Sequence, residues 1–109
     1  MTYAIRISLS ADTDLKKTIR YISITLSNPE AAKTLINKFQ DIIDSLRSMP
    51  KRHPLADDTI LSDWGIRYLN CGHYLLFYQV DDAARVVNII RFLHERQHWR
   101  SILGNSELD

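Results

Sequence analysis

The segment Arg91-Phe92-Leu93-His94-Glu95-Arg96-Gln97-His98-Trp99 gathers more groups able to do chemistry than any other stretch of the chain. An arginine can hold a phosphate through paired N–H donors and stabilise extra negative charge on it. A histidine exchanges a proton near neutral pH, and an exposed indole can stack on an unpaired base. Together these groups would suit RNA cleavage by attack of a 2′-hydroxyl on the neighbouring phosphate. Arg91, His94, Arg96 and His98 are therefore candidate catalytic residues, and Trp99 a candidate RNA contact.

Arg67 joins this set if it projects from the open face of a sheet toward the same place as Arg91. Lys51, Arg52 and His53 form a second basic run that could border that face and bind RNA. Each residue also has an ordinary use. Arg67 and Arg91 could face water, Arg96 could pair with Glu95, and Trp99 is first of all expected to pack, because large aromatics contribute mostly buried area. His94 and His98 lie four apart without a nearby third ligand, which does not define a metal site. No phosphate-binding loop, dinucleotide fingerprint, HExxH helix or serine elbow is present, so no metal and no cofactor is expected.

Composition frames this. The 109 residues carry a formal charge of +1, from 14 Lys and Arg against 13 Asp and Glu, which argues against a uniformly basic nucleic-acid binder. The charge is local: from residue 85 to 100, Arg85, Arg91, Arg96 and Arg100 face only Glu95. With 45% apolar residues and few Gly or Pro, one packed domain over 1–109 is expected, its tail frayed from 104. The lone Cys71 can form no internal disulfide. No apolar run approaches a membrane span and the N-terminus lacks a secretory signal, so a cytoplasmic protein is expected.

The elements that must position these groups follow from periodicity. Residues 3–9 alternate as a strand, with Tyr3, Ile5, Ile7 and Leu9 on one face. Ser10, Asp12 and Thr13 offer caps to a helix whose stripe is Leu15, Ile19, Ile22 and Leu26. Ser27-Asn28-Pro29-Glu30 starts a second helix that carries Ala32, Leu35, Ile36, Phe39, Ile42, Ile43 and Leu46 inward, until Pro50 stops it. A loop follows, with room for a short strand at 59–61. Three strand-like runs at 64–69, 74–80 and 85–93, joined by short turns, read as an antiparallel meander. A last helical turn falls at 97–103. The fold class is α+β: a strand, a helical hairpin, then three or four strands, with the helices on one sheet face.

This order, with Tyr21-Ile22-Ser23, Ser27-Asn28-Pro29-Glu30-Ala31-Ala32, Gly65-Ile66-Arg67-Tyr68-Leu69, Tyr74-Leu75-Leu76-Phe77-Tyr78-Gln79-Val80-Asp81 and Ile90-Arg91-Phe92-Leu93-His94, resembles the RelE/ParE superfamily of toxins from bacterial type II toxin–antitoxin modules. The resemblance implies a plasmid-stabilisation type of toxin, held inactive in a hetero-oligomer by a cognate antitoxin. RelE-like members cut mRNA on the ribosome without metal, and ParE-like members inhibit DNA gyrase. Under the first expectation, Arg67 and Arg96 hold phosphate and His94 or His98 moves the proton. The alternatives are a gyrase inhibitor and a decayed member that only binds antitoxin. The chain departs from RelE at Asn70, where RelE has an arginine, and in lacking its C-terminal catalytic tyrosine.

Overall fold

The hydroxyl of Ser8 sets the first boundary. It accepts a hydrogen bond from the Ala11 N–H at 3.0 Å, capping a helix earlier than Ser10, Asp12 or Thr13 would. A computed structural model describes residues 2–105, and in it β1 (Ala4–Ile7) gives way directly to α1 (Leu9–Arg20). Leu9, expected to extend the strand, is helical and 78% exposed. Helix α1 runs on into a π-helical turn over Tyr21–Thr25, and α2 (Pro29–Leu46) returns antiparallel to it as the expected hairpin.

Helix α2 starts as its sequence dictates. The Asn28 side chain accepts from the Ala31 N–H, Pro29 occupies the first turn, and Glu30 lies at the positive end of the helix. Its Ala32, Leu35, Phe39, Ile43 and Leu46 are buried, and it ends at Leu46, before Pro50 can interrupt it. Residues 59–61, where the sequence allows a short strand, instead belong to α3 (Thr59–Asp63), because the Asp58 carboxylate accepts from the N–H groups of Ile60 and Leu61.

The meander is β2 (Ile66–Cys71), β3 (Tyr74–Asp81) and β4 (Val86–His94), followed by α4 (Trp99–Asn105). Asn70 and Cys71 are strand residues, which shortens the first turn to Gly72-His73. Gly72, at φ 62°, supplies the left-handed conformation this turn needs. Gly104 and Asn105 are helical rather than frayed, and 106–109 lie outside the described residues.

The strand order is β1-β4-β3-β2. Strands β2, β3 and β4 are antiparallel, but β1 lies parallel to β4, pairing Ala4 with Val86 and Ile7 with Ile89. The sheet is therefore mixed, and the helical hairpin belongs to the long connection that parallel neighbours require.

One face carries α1 and α2 over a core that includes Leu35, Phe39, Leu46, Leu76, Tyr78, Ile89 and Phe92. The other face is not open. Ala56, Leu61 of α3 and Leu103 of α4 pack there on Ile66, Leu75, Phe77, Ile90 and Leu93.

Strand β4 outruns β1, and α1 finishes its bare edge. The Ser8 hydroxyl donates to the Ile90 carbonyl at 2.8 Å, and the Phe92 N–H donates to the Asp14 carboxylate at 3.0 Å.

Candidate functional site

Tyr78 and Arg67 hold the loop that carries the first basic run. The Tyr78 hydroxyl donates to the Pro50 carbonyl at 2.5 Å. One Arg67 nitrogen donates to the His53 carbonyl at 2.7 Å and the Lys51 carbonyl at 3.2 Å. Burial pushes the Tyr78 hydroxyl up to about 12 despite the nearby Arg67 and Arg52. His53 packs edge-on to the Tyr78 ring, and burial, then the Arg52 charge, lowers its pKa.

Lys51 turns away from the others to pair with Asp82 in the β3–β4 turn. That carboxylate also accepts from the Tyr3 hydroxyl at 2.8 Å, and the Lys51 hydrogen bond, then Tyr3, holds it below the usual carboxylate range. Arg52 stays exposed, its Nε directed at the His53 ring at 3.4 Å.

The second group lies where β4 ends. His94 Nδ1 accepts from the Arg96 N–H at 3.1 Å, and the His94 N–H donates to Gln97 Oε1 at 2.8 Å. The His94 ring meets Tyr74 edge-on at 5.1 Å and stacks near His73. Glu95 pairs with His73 at 3.2 Å rather than with Arg96. Arg96 and His98 are exposed, and the His98 carbonyl accepts the Ile102 N–H of α4.

Trp99, a candidate for base stacking, is built into the core of the second face. It lies against Phe77 with ring centres 5.3 Å apart, and the Arg100 guanidinium sits 4.1 Å from its ring centre. Packing wins here, as its apolar area leads one to expect.

Arg91 does not join either group as a free charge. Its guanidinium donates to both oxygens of Asp14, at 2.7 and 2.9 Å, and the two side chains are only 19% and 12% exposed. Arg67 and Arg91 are level across β3, in register with Tyr78 and Phe77, but one reaches the loop after α2 and the other reaches α1. They do not share an open face, because both turn to the side of the sheet that α1 and α2 cover.

Arg67 and His53 lie at the level of Tyr78, midway along β3, and Lys51 lies at its far end. Lys51 contacts Asp82, just beyond the end of β3, while His94 is paired with Tyr74 at its start. At about 3.3 Å per residue, the strand between them spans about 23 Å. One phosphate cannot meet both Lys51 and His94, since acid–base catalysis needs its partners within hydrogen-bond reach. Among the described residues no cluster of three or more His, Cys, Asp or Glu could hold a metal, and no helix is long and apolar enough to cross a membrane.

Sequence reasoning missed Asp14 and Tyr78. The available signal for Asp14 was its place in α1 between Ala11 and Leu15, which turn inward. Nothing local names its partner 77 residues on. Asn70 lines a cleft of about 350 Å³ with Arg52, His53, Tyr68 and the α2 residues Ile42 and Ser45.

The ParE toxins of type II toxin–antitoxin systems match the chain over residues 5–99. The chain belongs to the ParE toxin family. Solved structures share the fold of this ParE-family toxin at low sequence identity. A chain of the chromosomal ParDE system from P. aeruginosa is 14% identical, with a TM-score of 0.68 over 84% of this chain and 95% of that one. A chain of the RelBE2 toxin–antitoxin complex from Mycobacterium tuberculosis is 24% identical, with a TM-score of 0.58 over 86% and 99%. A chain of the archaeal RelE–RelB complex from Pyrococcus horikoshii is 19% identical, with a TM-score of 0.59 over 89% and 99%. No curated protein is similar to it in sequence.

Proposed function

We propose that this ParE-family toxin acts by binding and blocking its target, with DNA gyrase the target that the family resemblance implies, and that it does not cleave mRNA. The carrying observation is the separation of the residues that a nuclease would need around one phosphate. Lys51, at the Asp82 end of β3, lies about 23 Å along the sheet from His94 at its start; Arg67, opposite Tyr78, lies about 13 Å from that level and is turned to the loop after α2, and Arg91 is held by Asp14. A blocking protein needs no such convergence, only a rigid surface.

The similar ParDE and RelBE structures support a cognate antitoxin as partner, in a cytoplasmic hetero-oligomer with this single toxin domain. One observation favours the rival reading: Arg96 and His98 stand exposed beside the end of β4, where a metal-independent, ribosome-dependent nuclease would place its acid–base group.

Two assays on the purified toxin separate these readings. Gyrase supercoiling should fall in proportion to added toxin, while toeprinting in a reconstituted translation reaction should show no new mRNA ends. Ribosome-dependent cuts that disappear in His98→Ala, with supercoiling untouched, would establish the nuclease instead.

A further inference from the structure

Tyr3 is where three distant segments of the chain meet. Its N–H donates to the Arg47 carbonyl, just past the end of α2, at 2.7 Å. Its hydroxyl donates to Asp82 in the β3–β4 turn at 2.8 Å, and the Arg85 guanidinium lies over its ring, 5.2 Å from the centre. The Arg85 carbonyl in turn accepts the Ala4 N–H at 2.9 Å. The loop after α2 and the turn after β3 are therefore both anchored on the start of β1.

These segments line a cleft of about 620 Å³, a size that suits a small molecule. Lys51 and Arg52 of the loop and Arg85 of the turn bring three cations to it, and Met49 and Pro50 give it an apolar wall. Among the described residues no carboxylate lines it, and Asp82 adjoins it through Lys51 and the Tyr3 hydroxyl. Met49 is 58% exposed beside these charges, a flexible thioether open to a flat apolar ring. Arg85 has a φ of 57°, the left-handed backbone that favours glycine and strains other residues. Glycine would fit that position with less strain, so what the arginine adds there is its side chain.

We propose that this cleft binds a free nucleotide carrying two or more phosphates. Arg52 and Arg85 would hold the phosphates through paired N–H donors, Lys51 would add its charge, and the base would lie on Met49 and Pro50. A compact ligand fits better than a polynucleotide. Asp44 in the last turn of α2, and Asp81 and Asp82 where β3 ends, place carboxylates around the cleft, and a phosphate backbone running on from it would meet them. The site does not depend on which target the toxin inhibits, so the assays above and the one below can fail separately.

The test titrates isotope-labelled toxin with ADP, pyrophosphate, adenosine and hexathymidylate, followed by amide chemical shifts. ADP should move the amides of Met49, Arg52 and Arg85 and bind about tenfold or more tighter than pyrophosphate or adenosine. Arg52→Gln and Arg85→Gly should each weaken ADP about tenfold. Glycine suits the backbone at position 85, so that variant keeps the turn and reads the side chain alone, and Arg52→Gln changes an exposed residue. Asp82→Asn keeps an acceptor for the Tyr3 hydroxyl but removes the charge that holds Lys51. It should tighten ADP severalfold, a gain that a merely structural network would not give. ADP binding no tighter than pyrophosphate or adenosine, tighter binding of hexathymidylate, or unchanged affinity in both arginine variants would overturn the proposal.

Discussion

Asp14 determines what the Arg91 charge is available for. A guanidinium that donates to both oxygens of a nearly buried carboxylate is a structural tie between α1 and β4. Asp14→Asn keeps an acceptor for the Phe92 N–H but takes the Asp14 charge away from Arg91. It should cost about 2–4 kcal/mol in urea unfolding, and Asp14→Leu with Arg91→Met should recover part of the loss suffered by Asp14→Leu alone. His53 makes a pH-dependent contribution. Its folded pKa lies below the ordinary value because burial and Arg52 disfavour the cation, so the unfolded state binds the proton more readily. Stability from this group is fully present above about pH 6.5 and is lost as pH falls through the lowered folded value. Unfolding midpoints measured from pH 7.5 to 5 should show this fall, and His53→Gln should flatten it. Sequence reading located these basic and imidazole groups, because residue type and local density are local facts. It could not tell which were committed: Asp14 with Arg91, and Pro50 with Tyr78, pair across most of the chain or between elements whose contact only the fold creates.

At the scale of elements, legibility follows where the boundary signal resides. Helix α2 could be read in full because Asn28, Pro29 and Glu30 act within their own turn. The strands could be read because alternation is a property of each strand alone. The end of β1 was obscured because alternation continues formally through Leu9, while the capping group, Ser8, also belongs to that pattern. Ser8→Ala removes both the acceptor for Ala11 and the donor to Ile90. It should cost about 1–2 kcal/mol, measured by chemical denaturation, and should loosen α1 against the end of β4. Helix α3 was missed because five residues carry little periodicity, and only the Asp58 cap marks its start. The covered second face could not be foreseen without α3, although the helical turn that became α4 was expected. The expectation that Arg67 and Arg91 open onto common solvent failed separately, because both turn to the side that α1 and α2 cover.

For the molecule as a whole, the meander builds the sheet locally while β1 enters it from far away: Ala4 pairs with Val86 and Ile7 with Ile89. The helical hairpin leaves the ribosome about 40 residues ahead of that partner strand, which at bacterial and eukaryotic synthesis rates is a lead of roughly 2–8 s. During that interval α1 and α2 have an apolar face and no sheet to cover, and a two-strand hairpin of β2 and β3 is at best marginal by itself. The hairpin of β2 and β3 gains its third strand only when β4 arrives. A message broken or stalled before codon 86 therefore yields a chain without the finished surface on which inhibition would rest, and potency is coupled to completion of the last strand during translation.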